Sequence, residues 1–507
     1  MSAPLTPLLT RVEATPPGQN GTRPWLRSLG LAACFLACGA FYLQLGKLVP
    51  TDPNSSASIV PFVHLWQWIF LPYAVACALI LLLRPTRGRW RWIELGLILS
   101  GALLLRLELL GLPPNLSHDS WRYVWDARAF LHGYSPYVTL PEAPQLLPLR
   151  DFIYAYSRFR NAPSIYPPGA QYIYALSYLL VPSSLFFLKG VFMFFDLLGC
   201  LLLTLLLVRR GLDPARVLLY AWSPLPIVEF ALEGHLDGVA IAFSLLAVLS
   251  ASSLNWRGRT LTGFLVGFAT LVKIYPLVLL VPLMNVKRWK WADGTWQRDL
   301  LLVLTCVLTI GLSYIPFVWL GQGQIFGFFA TFASEQGQNA GLVQHFVGAI
   351  ATGSGLPQDL VVTWEHSVAL VLLVGASLAI LIARARERLS LAAGTLILFS
   401  LMLAISPHVF PWYVTTLLPW IVLLLPARVA PRSSAFWACI LVLGSLWLFT
   451  FTSVWGYVLS WPDYYLLVDN SLTCELLVSG LLVLLPFWLP FARKGWVYVK
   501  QWFNHRF

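Results

Sequence analysis

The sequence predicts an all-α polytopic membrane protein with about 14 transmembrane crossings and amphipathic interfacial helices in one long outer loop. Three observations predict it. Charged residues make up 11% of the 507 positions and hydrophobic ones 58%, whereas a soluble domain carries about a quarter charged. Apolar runs of span length recur along the whole chain, more than any single anchor needs, and mean hydropathy is +0.72. The basic residues fall in alternate connections, as in a chain threaded repeatedly through a membrane.

Residues 1–27 are rich in Thr, Pro and Gly and carry Arg11, Arg23 and Arg27. The apolar run behind them is long enough to span and lacks a small-residue cleavage site, so it reads as a first span rather than a signal peptide. Spans follow one another at 28–49, 60–83, 91–112, 185–208, 215–232 and 237–254. Between 260 and 287 two shorter apolar pieces are split at "VKIYP" and read as abutting helices that meet near one membrane face. Further spans lie at 299–320, 358–383, 390–406, 411–427, 434–456 and 470–492.

With the N-terminus inside, the inner segments hold 25 of the 34 Lys and Arg, as the positive-inside rule requires. Topology therefore accounts for the net charge of +12, and no nucleic-acid partner is needed. The organisation is a cytoplasmic tail 1–27, a single transmembrane domain 28–492 and a cytoplasmic tail 493–507, in the plasma (inner) membrane. The long outer loop is 113–184 and a second one is 321–357. The seven Cys lie in or beside apolar segments with no CxxC pair, so neither a disulfide framework nor a zinc site is indicated.

The long outer loop opens with "NLSHDSWRYVWDARAFLHGYSPY", 115–137, which holds two Asp, two Arg, two His and six aromatic residues. As a helix over 119–133 it places Asp119, Arg122, Tyr123, Asp126 and Phe130 on one face, and Trp121, Val124, Trp125, Ala129 and Leu131 on the other. That is an amphipathic helix at the lipid–water interface, with Arg128 snorkelling from the apolar side. "IYPPGAQYIYALSYLL", 165–180, reads as a second helix with Pro at its start. On spacing alone the charges are accounted for as i,i+3 and i,i+4 pairs on a solvated face. Context favours chemistry: a carboxylate at the end of a span, among aromatic rings, is where a general base for a lipid-borne substrate would sit.

Other polar groups converge on the same face. "EFALEGHLDG", 229–238, brings Glu233, His235 and Asp237; "SEQGQNAGLVQH" ends on His345; "ISPHVFPWY" carries His408 and Trp412. Lys273 is the sharpest of them, because an ammonium deep in apolar sequence needs an anionic partner. Together these groups describe an outward-facing cavity suited to an anionic head on an apolar tail.

In this order, "RYVWDARAFLHGYSPY", "YPPGA", "GHLDG", "LVKIYP" and "SPHVFPWY" resemble the GT-C superfamily of integral-membrane glycosyltransferases. The nearest likeness is to bacterial polyprenyl-phosphate-mannose-dependent mannosyltransferases. The resemblance covers most of 113–415. It implies inverting transfer of a hexose from a polyprenyl-phosphate-sugar donor to a lipid or glycan acceptor, in contact with membrane lipids, on the extracytoplasmic face. It assigns catalysis to Asp119 and donor-phosphate binding to Lys273, joined by Arg122 and His408. His118, Asp126, Tyr166, His235, Asp237, Tyr275, His345 and Trp412 line the substrate cavity. Relatives often carry two close acids in the first outer loop. Here Asp126 stands seven residues from Asp119, which leaves dependence on a divalent cation, Mg or Mn, in doubt.

Three rivals compete. A transporter or lipid flippase would use the broken helix at 260–287. It should, however, carry ionisable groups near the bilayer midplane, and Arg106, Glu108, Asp196 and Glu229 are expected mostly toward helix ends. Oligosaccharide ligation would call for an Arg-rich acceptor loop, yet 321–357 has no Lys or Arg. A metal-dependent phosphatase or deacetylase would set its His at ligand spacing, and these stand apart. No Walker or Rossmann glycine pattern is present, which favours a lipid-borne donor over a nucleotide sugar.

Overall fold

The computed structural model describes residues 24–52, 55, 58–284, 295–328, 341–426 and 434–458. Helices α1 (Pro24–Leu48), α2 (Ile59–Leu82) and α3 (Arg89–Leu110) match the first three expected spans. The connection from α3 to the next long helix carries α4 (Asp119–Leu131), α5 (Phe152–Tyr156) and α6 (Pro168–Leu180). After α7 (Leu185–Arg209) the expected span 215–232 is broken. It runs through α8 (Leu218–Ala221) and α9 (Pro224–Pro226) with a 51° bend, where Pro224 and Pro226 remove backbone donors.

Next come α10 (Asp237–Ser250), α11 (Trp256–Val272), α12 (Leu280–Leu283) and α13 (Thr295–Leu320). The second expected outer loop contains a helix, α14 (Leu342–Gly353). The chain continues through α15 (Gln358–Ala385), α16 (Leu391–Ala404), α17 (Pro411–Val414), α18 (Leu418–Leu424) and α19 (Ser434–Thr452). Among the described residues there is no strand. The span expected at 470–492 and the tails 1–23 and 493–507 lie outside the described residues.

Five described helices are long and apolar enough to cross a membrane, six if the bent pair is one span. They do not by themselves make fourteen crossings. A 14-residue helix such as α10 or α16 is about 21 Å long against a hydrocarbon core of about 30 Å. On α13 and α15 rows of Leu, Ile and Val stand uncovered, including Leu308, Leu312, Leu370 and Val371, as lipid-facing helices require.

Two buried clusters organise the bundle. The larger centres on Trp66, Tyr73, Trp222 and Trp420, joining α1, α2, α3, α7 and α18. The smaller one gathers Trp121, Tyr123, Trp125, Tyr166, Tyr174 and Phe192 beneath α4 and α6. Charge pairs cross the interior, the most deeply buried being Arg106 on α3, which meets Asp196 at 2.5 Å, while Tyr220 donates to the same carboxylate at 2.7 Å. Asp196 lies midway along α7 rather than toward its end as expected. Its charge is tolerated there because Arg106 neutralises it and Tyr220 hydrogen-bonds it.

The helix expected at the lipid–water interface is instead enclosed by protein. Residues 120–129 of α4 are all buried, with Trp125 only 1% exposed. The covering comes from α5, α6 and α7, an overlay that periodicity within α4 does not reveal. Nor does Arg128 snorkel. It binds the Asp151 carboxylate at 2.7 Å, the Leu149 carbonyl at 2.7 Å and the Tyr178 hydroxyl at 3.1 Å.

Candidate active site

The site forms where the first turn of α4, the start of α6, the end of α11 and the segment 406–416 come together. Each is placed by a local feature. Glu233 accepts hydrogen bonds from the backbone N–H groups of Asn115, Leu116 and Ser117, at 3.2, 3.0 and 2.9 Å. That carboxylate fixes the strap leading into α4 and therefore the position of Asp119. Gly234 follows at φ +74°, where a Cβ would press on Lys189 and Ser120, so the turn requires glycine. In "YPPGA", Pro168 begins α6, and Gly169 lets α6 sit directly on the backbone of Leu271 in α11.

Pro276 has no N–H to continue an α-helix, and α11 ends at Val272 with Lys273 in extended backbone. The Lys273 side chain leaves the helix end there and is 12% exposed. Its ammonium lies 3.4 Å from Asp237 Oδ2 and faces the rings of Tyr413 and Tyr166, at 4.8 and 5.2 Å from their centroids. The expected anionic partner of Lys273 is thus Asp237, at the start of α10.

Asp119 begins α4 and is half-buried. Its Oδ2 accepts a hydrogen bond from the Tyr166 hydroxyl at 3.0 Å, and Tyr123 donates to Tyr166 at 2.9 Å. Desolvation pushes the Asp119 carboxyl above the ordinary carboxylate range; the Tyr166 hydrogen bond and the charges of Lys273, Arg122 and Arg158 pull it back. The group remains a carboxyl with basicity to spare. Beside these residues opens a cleft of about 170 Å³, walled by Ile165, Ile274, Phe399, Met402 and Leu403, with Lys273, Tyr166, Tyr275 and Tyr413 also on its lining. Among the described residues, Tyr275 Oη, Trp412 Nε1 and His235 Nδ1 are buried without a hydrogen-bond partner.

The expected site residues do not all assemble. Asp119, Lys273, Tyr166, Asp237 and Tyr275 do. His235 lies behind them, stacked on Trp412 at 3.8 Å, with Nε2 3.4 Å from Glu229. Trp412 stacks in turn on Phe410 at 4.6 Å, and His408 stacks on the same ring; its backbone bonds the cleft residue Ser406, while the His408 side chain is not on the cleft lining. Arg122 turns the other way. It pairs with Asp126 at 2.7 Å and donates to the carbonyls of Phe159 and Ala162 at 2.5 and 2.9 Å, clamping the loop beyond α5 to α4. His118 is buried just before α4. His345 lies in α14, and its side chain is not among those described.

Because Asp126 is committed to Arg122, it does not form a pair of acids with Asp119. Among the described residues no group of three or more His, Cys, Asp or Glu is placed to hold a metal ion. Sequence reasoning missed Tyr413 as a ring face for Lys273 and Phe399 and Met402 as walls, and it singled out Glu233 without its role as holder of the strap. Tyr413 stood inside a quoted motif, next to the residue chosen instead. The other roles depend on partners far along the chain.

Residues 165–407 match the model of Glycosyltransferase family 87. That stretch takes in Tyr166, His235, Asp237 and Lys273 and begins after Asp119. Among solved structures the chain is similar to the crystal structure of ArnT from Cupriavidus metallidurans bound to undecaprenyl phosphate. The two share 17% identity with a TM-score of 0.42, over 81% of this chain and 77% of that one. No curated protein matches the chain. Residues 165–407, just under half of the chain, are thus similar to a glycosyltransferase family.

Proposed function

We propose that this protein is an inverting transferase that moves a hexose, mannose foremost, from a polyprenyl-phosphate-sugar donor to a lipid or glycan acceptor at the extracytoplasmic face of the membrane. One observation carries the reading: Asp119 and Lys273 flank a single tyrosine beside an apolar cleft. An apolar wall suits a polyprenyl chain, and an ammonium at its edge suits the phosphate. A carboxylate close by suits a proton acceptor. The Tyr275 hydroxyl, on the cleft lining and buried without a protein partner, suits a ligand rich in hydroxyls.

In the step proposed, the acceptor hydroxyl attacks C1 of the sugar from the face opposite the phosphate. Its oxygen bonds to C1 as the C1–O bond to phosphate breaks, through an oxocarbenium-like transition state. The hydroxyl proton passes to Asp119. Polyprenyl phosphate leaves as an anion whose growing charge Lys273 stabilises, so the leaving group needs no proton. Asp237 holds Lys273 at the cleft.

The test uses the protein in lipid nanodiscs with radiolabelled polyprenyl-phosphate-mannose, the glucose and arabinose counterparts, and a crude acceptor-lipid extract. The proposal expects label to move to acceptor lipid, mannose giving the highest rate. Movement of intact donor between leaflets with no transfer would replace it with the flippase reading.

A further inference from the structure

We infer that Tyr166 is a positioning residue for both reactive charges at once, its hydroxyl orienting the Asp119 carboxylate and its ring face seating the Lys273 ammonium. This rests on the roles proposed above for Asp119 and Lys273. The hydroxyl donates to Asp119 Oδ2 at 3.0 Å, while the ring centroid lies 5.2 Å from Lys273 Nζ. One rigid ring therefore sets the separation of base and cation. The Tyr166 bond fixes the plane of the carboxylate, whose remaining lone pairs are left to receive the acceptor's proton.

The tyrosine is itself held on several sides. Tyr123 donates to its hydroxyl at 2.9 Å, which leaves the Tyr166 proton directed at Asp119. Tyr137 donates to its backbone carbonyl at 2.9 Å, and Tyr123 packs edge-on against its ring at 4.8 Å. Tyr123 is fully buried and stacked on Tyr174 at 4.6 Å. The chain of hydroxyls thus ends in the core, so it orients the carboxylate and offers no route for a proton to solvent. Pro167 and Pro168 stiffen the backbone directly after Tyr166.

Besides Tyr166, the charged and titratable groups facing Asp119 are Lys273 at the end of α11, Asp237 at the start of α10, Tyr413 from α17, Tyr457 beyond α19, Tyr174 on α6, Arg158 from the loop after α5, and Arg122 and Tyr123 on its own helix. None of these is changed by replacing Tyr166 with Phe. That substitution removes the hydroxyl and keeps the ring. Ionised Asp119 then loses a donor, its carboxyl rises, and the acid limb of the kcat profile moves to higher pH by about one unit. Donor KM stays within about two-fold, because the ring still seats Lys273. Tyr166→Leu removes both, so the acid limb moves equally and donor KM rises roughly five-fold or more. Tyr123→Phe leaves Tyr166 in place and shifts the limb in the same direction by less.

The experiment is the pH profile of kcat and donor KM for wild type, Tyr166→Phe, Tyr166→Leu, Tyr123→Phe and Asp119→Asn in nanodiscs. An acid limb that does not move in Tyr166→Phe, or a donor KM that rises as much in Phe as in Leu, overturns the double role. Should Tyr166→Phe not fold, an unmoved limb in Tyr123→Phe overturns it instead. Full transfer by Asp119→Asn refutes the underlying assignment of the base, a result separate from either.

Discussion

Replacing Lys273 with Met separates what this residue does for the fold from what it does for a donor. The ammonium stands 3.4 Å from Asp237, whose side chain is fully buried, whereas that of Lys273 keeps 12% exposure. Removing one member of a buried pair costs about 3–5 kcal/mol because the other charge is left uncompensated. The partial exposure of Lys273 puts the cost at the low end, about 3 kcal/mol. In a chain of this size that corresponds to a fall of several degrees in Tm. Adding Asp237→Asn removes the orphaned charge, so the double variant regains most of that loss. It does not regain the cation. Donor KM therefore stays at least ~10-fold above wild type in both variants, the weight of one lost charge-assisted contact. Thermal unfolding followed by tryptophan fluorescence, beside donor titrations of transfer rate, checks both halves. Unchanged Tm in Lys273→Met would refute the ion-pair reasoning, and restored donor KM in the double variant would show that Lys273 serves only the fold.

Three more outcomes follow from the same geometry. Glu233→Gln replaces a carboxylate that binds three backbone N–H groups with a neutral amide. It lowers kcat about 10-fold through a loosened Asp119 strap, with donor KM little changed; steady-state kinetics decide it. Arg106→Leu alone strands buried Asp196 and lowers stability by about 3–5 kcal/mol, whereas Arg106→Leu with Asp196→Leu is far milder; detergent thermal melts compare them. In wild type, kcat declines as pH falls through the Asp119 carboxyl, which burial raises. The loss therefore sets in at a higher pH than an ordinary carboxylate of about 4 would give, and a kcat–pH profile measures it.

Much of the bundle was legible because an apolar run of span length has few other uses. The helices from α1 to α3, α7, α13 and α15 fall where hydropathy put them. The break at Lys273 was legible for a different reason: the apolar piece before it is too short to span, and Pro276 lacks the N–H that would carry the helix on. The start of α4 at Asp119 was readable too, but its surroundings were not. Amphipathic spacing describes two faces and says nothing of what covers them, and α5, α6 and α7 turned an expected interfacial helix into a buried one. Arg122 and Glu233 illustrate the limit within the site. Each spends its charge on backbone groups, Glu233 on N–H groups more than a hundred residues away, and backbone partners leave no mark in side-chain patterns.

The most direct test of the central claim compares wild type with Asp119→Asn in nanodiscs, scoring labelled sugar passed from polyprenyl-phosphate-mannose to acceptor lipid while thermal unfolding confirms that both chains are folded. The account predicts transfer by wild type and its loss in Asp119→Asn at unchanged donor KM for any residual activity. Transfer by folded Asp119→Asn at the wild-type rate would contradict it and move the base elsewhere, with Asp237, beside Lys273, the first place to look.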